Sequence, residues 1–277
     1  MQPLFRFAPS PNGFLHLGHA YSVLVNEKLA AACGGQVLLR IEDIDLPRAR
    51  PHFVEALVED LAWLGLHFPL PYRVQSQHFA FYQSKAEALQ AQGLLYACRC
   101  TRRQIKDAAL RNGAGHDPDG SPLHRRAACQ CAGVEQAAPY AMRLDMEKAL
   151  ALHPEPLEIR CMDEEGRSFV RVANPALWGD VVLLRKDVPA SYHLAVVLDD
   201  AEQQITHVVR GKDLEAATDL HRFLQALLGL PSPLYLHHRL MTDEDGQKLA
   251  KSKMSKPLRA WRSEGLSALE VRRLLGF

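Results

Sequence analysis

Two histidines three residues apart, His16 and His19, follow the turn-forming run Pro9-Ser10-Pro11-Asn12-Gly13 and enclose Gly18. Residues i and i+3 of a first helical turn share a face. Together the two rings can donate hydrogen bonds to phosphate oxygens whose charge grows during a displacement. Gly18 lets a nucleotide approach the backbone where a Cβ would stand, and a helix N-terminus adds unpaired N–H groups and partial positive charge. Alone, a His-x-x-His pair reads as surface histidines or metal ligands; the whole string from Pro9 to His19 points to a nucleotide instead. Far along the chain, Lys248 and Lys251 supply point charges suited to a triphosphate, with a rival register at Lys253 and Lys256. Neither G-x-G-x-x-G nor a P-loop lysine motif occurs, which removes the ordinary dinucleotide and P-loop readings.

Between these two segments lie groups that suit a small zwitterion. Arg6 and Arg210 can grip a carboxylate through bidentate hydrogen bonds, while Glu42 and the Tyr192 hydroxyl suit an ammonium. All four are expected at or near strand ends, where side chains of an open parallel sheet converge on one crevice. Cysteines form a third constellation. Cys98-Arg99-Cys100 and Cys129-Gln130-Cys131 are two close pairs about thirty residues apart, a spacing that can close a tetrahedral zinc site, with His124 as an alternative fourth ligand. The plain alternative is a set of reduced, metal-free thiols. Cys33 and Cys161 stand alone and read as small buried apolar residues.

The elements that must position these groups are legible from periodicity. Residues 4–7 read as a short strand, residues from 17 to the Gly34-Gly35 stop as a helix, and 36–41 as a buried strand. Helices are expected over 54–64 and 79–92, giving an alternation that favours a parallel α/β sheet. Short strand-like runs follow at 140–144, 168–172 and 181–184; then 194–198 and 205–209 read as strands and 219–228 as a helix. The expected architecture is a Rossmann-like α/β catalytic domain in two halves, 1–97 and 190–240. Between them sits an inserted domain, 98–189, bearing the cysteine cluster, and a lysine-loop segment with a short tail closes the chain at 241–277.

Composition narrows the partners. Hydrophobic residues make up 47% of the 277 and charged residues 23%, which excludes disorder as the main state. No apolar run reaches the ~20 residues that span a bilayer, and Arg6 interrupts the opening stretch where a secretory signal would be apolar. A cytoplasmic protein without a membrane partner is expected. A formal net charge of +1 argues against a strongly basic, non-specific nucleic-acid binder, so any nucleic-acid contact must be local. Six cysteines in a chain with a core of this size do not imply a disulfide scaffold.

The motifs carry a family resemblance. The string Arg6-Phe7-Ala8-Pro9-Ser10-Pro11-Asn12-Gly13 leading to His16-Leu17-Gly18-His19, then Arg40-Ile41-Glu42-Asp43-Ile44-Asp45, Arg210-Gly211-Lys212-Asp213-Leu214 and Lys248-Leu249-Ala250-Lys251-Ser252, resembles the catalytic core of class I glutamyl-tRNA synthetases. The resemblance implies that ATP with Mg2+ is bound by His16, Gly18, His19 and Lys251, with His16, His19, Lys248 and Lys251 stabilising transition-state charge. It implies too that glutamate is held by Arg6, Ala8, Ser10, Glu42, Tyr192 and Arg210. The lead-in Gly246-Gln247-Lys248-Leu249 favours Lys251 over the Lys253 register. A full glutamyl-tRNA synthetase continues into a large helical anticodon-binding region, whereas this sequence stops at Phe277. Its shape is therefore similar to the glutamyl-Q tRNA(Asp) synthetase subfamily, which joins glutamate to the queuosine base of tRNA(Asp), as does the stretch from Ser191 to Asp200. That subfamily uses a Cys-x-Cys pair and then a tyrosine four residues before another cysteine. Here Arg125 stands four before Cys129 and Ala127 four before Cys131. Cys98, Cys100 and Cys129 are the firmest structural zinc ligands, with Cys131 or His124 completing the set. A monomer is expected. Two alternatives remain: a glutamyl-tRNA synthetase fragment charging the 3′ end of tRNA, and a non-catalytic tRNA-binding module.

Overall fold

The computed structural model describes residues 2–129, 131, 139–242 and 256–277. Strand β1, Leu4–Phe7, buries three of its four residues and feeds the turn-rich segment that ends at helix α1, Leu17–Ala32. Strand β2, Gln36–Ile41, returns parallel to β1 with Phe7 opposite Leu39. Helices α2, Pro51–Trp63, and α3, Phe79–Ala91, follow, separated by the two-residue strand β3, Arg73–Val74. Proline at the start of α2 suits a position whose N–H has no helical partner. Apart from β3, which has no counterpart in the sequence reading, these elements lie within three residues of where the apolar periodicity puts them.

The next strand, β4, Leu95–Cys98, pairs antiparallel with β5, Ala141–Leu144, which in turn pairs with β8, Val182–Leu184. This small sheet and helices α4, Arg102–Arg111, and α5, Met146–Leu152, make up much of the expected insertion. Two strands inside that span behave differently. β6, Glu158–Met162, runs parallel to β10, Leu234–His238, and β7, Ser168–Val172, forms an antiparallel hairpin with β6, so both extend the main sheet. The inward β6 residues Ile159 and Cys161 pack against Val208 and Tyr235, an apolar contact that the small sheet does not supply.

The expected strand at 194–198 is a helix. Tyr192–Glu202 forms α6, capped by Ser191, whose Oγ accepts from the Leu194 N–H at 3.4 Å. Its residues Leu194 to Asp200 are all buried, so the helix is enclosed on nearly every side and has no polar face to reveal a helical period. A continuous apolar run of five cannot distinguish such a helix from a core strand. Strand β9, His207–Gly211, and helix α7, Ala217–Leu227, then precede β10.

The main sheet has the order β3-β2-β1-β9-β10-β6-β7, parallel throughout except at β7. The chain moves outward from β1 through β2 and β3, re-enters at the far edge as β6 and β7, and then fills the gap on the other side of β1 with β9 and β10. Between β1 and β9 the winding direction reverses, creating the crevice at which open α/β sheets bind ligands. Helices α8, Leu258–Ser263, and α9, Ala268–Leu274, pack back onto the first half, where Leu258, Val271 and Leu275 join Leu15, Leu24 and Leu57 in one core cluster. Fully burying one such side chain is worth about 1.5–3 kcal/mol, which anchors the end of the chain beside the start of α1. Among the described residues, no helix is long and apolar enough to cross a membrane.

Candidate active site

At the reversal point the sequence supplies an unusual N-cap. His16 precedes α1 in an extended conformation; its Nδ1 accepts from the Gly18 N–H at 3.1 Å, and the His19 Nδ1 accepts from the His16 N–H at 3.2 Å. This reciprocal capping fixes the tautomers. An Nδ1 that accepts a backbone N–H carries no proton, so in the neutral rings Nε2 bears it and is a donor. The rings lie 3.9 Å apart between centroids, and both residues line a cavity of about 660 Å3 with Gly18.

The same cavity is lined by Arg6, Ala8, Ser10, Glu42, Tyr192 and Arg210. Arg6 comes from β1, Glu42 directly follows β2 and Arg210 lies in β9, so three carboxyl-terminal strand ends contribute. Tyr192 departs from expectation: it begins helix α6 rather than a strand, and the N-terminus of that helix aims it at the crevice. Arg48, Asp213, His238 and Met241 are among the other lining residues and had no site role from sequence.

Behind the cavity lies a buried ion network. Asp200 is 3.1 Å from Arg6 and 2.7 Å from Arg40, and Glu42 is 3.1 Å from Arg40. Asp199 accepts from Arg73 at 2.6 Å, from Gln75 at 2.7 Å and from the Tyr82 hydroxyl at 2.9 Å. Arg40 has 0% exposure, and an unpaired charge there would be prohibitively costly. Burial opposes its charge, but Asp200, Glu42 and Asp199 together raise its pKa. For Asp200, burial would raise the carboxyl, yet Arg6 and Arg40 hold it below the usual range. Glu42 goes the other way, because burial raises it more than Arg40 and Arg6 lower it. The signal for this network was present as charges inside apolar runs: Arg40 within Gln36–Ile41 and Asp199-Asp200 after Leu194 to Leu198.

Lys248, Lys251 and the rival Lys253 lie outside the described residues. The flanks of that segment are both at the cavity. Leu240 and Met241 line it, and Pro257 forms a bridge with His16 while the Leu258 N–H donates to the Leu15 carbonyl at 2.7 Å. Lys256, the second lysine of the rival register, is engaged elsewhere: it pairs with Glu264 and sits 3.8 Å from the Trp261 ring centroid.

The cysteine cluster assembles at the foot of the small sheet. Ligand atoms of Cys98, Cys100, His124 and Cys129 all lie within 4.8 Å of one another, and all four residues are buried. The Sγ atoms of Cys98 and Cys129 are 3.7 Å apart, those of Cys100 and Cys129 3.8 Å, and Cys98 Sγ is 3.6 Å from His124 Nε2. A tetrahedral ion with Zn–S near 2.3 Å and Zn–N near 2.0–2.1 Å has edges of about 3.6–3.8 Å, which these three separations match. Cys131 Sγ approaches Cys100 at 3.5 Å but is outside the mutually close set, so His124 is the better placed of the two candidate fourth ligands. The 3-10 turn Arg126–Ala128 brings His124, five residues before Cys129, back to the cluster. Burial would raise the Cys98 thiol, but the His124 imidazole, the Cys100 backbone N–H and Arg143 bring it down to about 6.

Comparison with known proteins converges on one group. The family described as tRNA synthetases class I (E and Q), catalytic domain, matches residues 4–276. The glutamyl-Q tRNA(Asp) synthetase of Rhodobacter capsulatus is 43% identical over 281 residues, covering 98% of this chain and 99% of that protein. Glutamate–tRNA ligase 2 of a Methylobacterium species is 37% identical, but this chain spans only 58% of its length. Among solved structures, the glutamate-tRNA synthetase of Elizabethkingia anophelis superposes with a TM-score of 0.68 at 27% identity, matching 96% of this chain and 54% of that one.

Proposed function

From a chain that belongs to the class I glutamyl and glutaminyl tRNA synthetase catalytic family, we propose an ATP-dependent ligase that activates glutamate and transfers it to the queuosine base of tRNA(Asp). The observation that carries this reading is that one cavity at the winding reversal gathers the phosphate-directed histidines and the zwitterion-directed Arg6, Glu42, Tyr192 and Arg210. Nucleotide and amino acid must meet within bonding distance for activation, and holding both in one crevice supplies that proximity.

In the first step the glutamate α-carboxylate attacks the α-phosphate of ATP, which enters with Mg2+, and pyrophosphate leaves as glutamyl-adenylate forms. His16 and His19 donate through Nε2 to the phosphate oxygens as charge builds on them. Gly18 allows the nucleotide close to the backbone. Lys248 and Lys251 neutralise the triphosphate; supporting this assignment, the residues flanking their segment are fixed at the cavity by Met241 and by the pairing of Pro257 with His16. Glu42 and the Tyr192 hydroxyl receive the glutamate ammonium, Arg6 and Arg210 its carboxylates, and the backbone at Ala8 and Ser10 lies alongside. In the second step a nucleophile on the modified base attacks the acyl carbon and AMP departs; adenylate is already a good leaving group, so positioning carries the step.

A structural zinc would be held by Cys98, Cys100, Cys129 and His124, binding β4 to the segment before β5. We take the enzyme to act as a monomer in the cytoplasm, where its tRNA substrate is found. Glutamate-dependent exchange of pyrophosphate into ATP tests the reading. Exchange is expected with glutamate; its absence under all conditions, tRNA included, would return the chain to a non-catalytic tRNA-binding module.

A further inference from the structure

Four guanidinium groups, Arg6, Arg40, Arg73 and Arg210, share the buried region behind the cavity with three carboxylates, Glu42, Asp199 and Asp200. The pairing is uneven. Asp200 serves Arg6 and Arg40, Glu42 serves Arg40, and Asp199 serves Arg73. Arg210 is 5% exposed, yet among the described residues no carboxylate comes within 4.0 Å of it.

Its partners are neutral instead. Nε points to His237 Nε2 at 3.4 Å, Nη1 to His221 Nδ1 at 3.1 Å, and Nη2 donates to the Thr218 Oγ1 at 2.8 Å. A guanidinium only donates, so both histidine nitrogens that face it are lone-pair acceptors. The relay extends outward. His221 Nε2 therefore carries the proton and donates to His193 Nδ1 at 3.1 Å, and the Thr218 hydroxyl, 2.9 Å from His237 Nε2, shares with Arg210 the one lone pair of that nitrogen. Burial first, then the charge of Arg210, pushes His193 down to about 4 and His237 to about 2, with His221 also well below its ordinary value. All three rings stay uncharged at physiological pH.

Such a cradle spends three hydrogen bonds on aiming the guanidinium and none on cancelling its charge. A buried cation of this kind is costly until an anion arrives. The remaining donors of the fork belong to a residue that lines the cavity, where a carboxylate of a dicarboxylic amino acid can accept them. We propose that Thr218, His221 and His237 are positioning residues that keep Arg210 as the uncompensated positive charge of the site, held for a carboxylate of the amino-acid substrate. The inference rests on reading the cavity as the glutamate site.

Replacing one neutral acceptor by an anion tests it. His221→Glu supplies Arg210 with an internal partner, whereas His221→Gln keeps a neutral acceptor. Glutamate affinity is measured by calorimetric titration, and KM for glutamate and for ATP by pyrophosphate exchange. The Glu variant is expected to lose about tenfold or more in glutamate affinity, the scale of one displaced charge-assisted contact, with KM for ATP unmoved, and the Gln variant to recover most of it. Should the Glu variant fail to fold, Thr218→Val is expected to raise KM for glutamate alone and Thr218→Ser to restore it. Equal glutamate affinity in wild-type and folded Glu-variant protein, or equal losses in the Gln and Glu variants, would overturn the cradle. Wild-type protein that binds no glutamate would instead overturn the reading of the cavity.

Discussion

At the scale of single residues, the chemistry of the candidate site was readable because it needs residue types that are costly to place by chance. Two histidines around a glycine, and arginines at strand ends, announce themselves by type and spacing. What spacing could not reveal was which acceptor each hydrogen occupies: the capping of α1 by His16 and His19 decides that Nε2 is the donor, and only folded geometry contains that information. For the candidate metal ligands, sequence left Cys131 and His124 as alternatives for the fourth position, and the 3-10 turn at Arg126–Ala128 is what brings His124 into the close set. We predict that His124→Ala lowers zinc content, measured by atomic emission on purified protein, while Cys131→Ser leaves it near one ion per chain; the reverse pattern would assign the vertex to Cys131. Lys251→Ala is expected to slow pyrophosphate exchange by about 100-fold or more, the size of losing one charge stabiliser, with little change in glutamate affinity by titration. An unchanged rate would move the assignment to the neighbouring register.

Among elements, strands and helices with one polar face were legible and a fully enclosed helix was not. Residues 36–41 form β2 as their apolar run indicated, and α7 lies within two residues of its expected bounds. Helix α6 was misread because Leu194 to Asp200 are buried all round, which erases the 3.6-residue signature. The hairpin of β6 and β7 was assigned to the insertion since sequence order does not say which sheet a strand joins. Helix α2 contains a further anomaly. Asp60 is 1% exposed and neither carboxylate oxygen has a hydrogen-bond partner. Burial outweighs the attraction of Arg262 and Arg259 and lifts its pKa from 3.8 to about 6. A folded-state value above the unfolded one means that stability is fully present below about pH 4 and is lost as pH rises through about 6. Asp60→Asn is therefore expected to raise the melting temperature by about 2–4 °C at pH 7.5 and by about half as much at pH 5. Equal shifts at both pH values, or none, would show that the buried charge carries no cost.

For the molecule as a whole, two distant stretches of chain must act on one substrate pair, and the sheet's reversal between β1 and β9 is what allows it. The first stretch enters on β1 and α1, the second on β9 and β10, and the end of the chain closes back through Leu258 and Val271 onto the core beneath α1. This long-range arrangement followed from the α/β alternation only in outline, because register and strand order are set by core contacts such as Phe7 against Leu39 and not by local pattern. The balance of charge over the whole chain gave no hint of a nucleic-acid partner, so recognition of tRNA must be local. In the proposed reaction activated glutamate leaves this cavity for a modified base. Transfer of radiolabelled glutamate to tRNA(Asp) with and without queuosine, followed by nuclease mapping of the labelled fragment, measures this directly. Label confined to queuosine-containing tRNA and mapping to the fragment that bears that base is the predicted result; label on the 3′ terminal fragment, or equal transfer to both tRNAs, would contradict it.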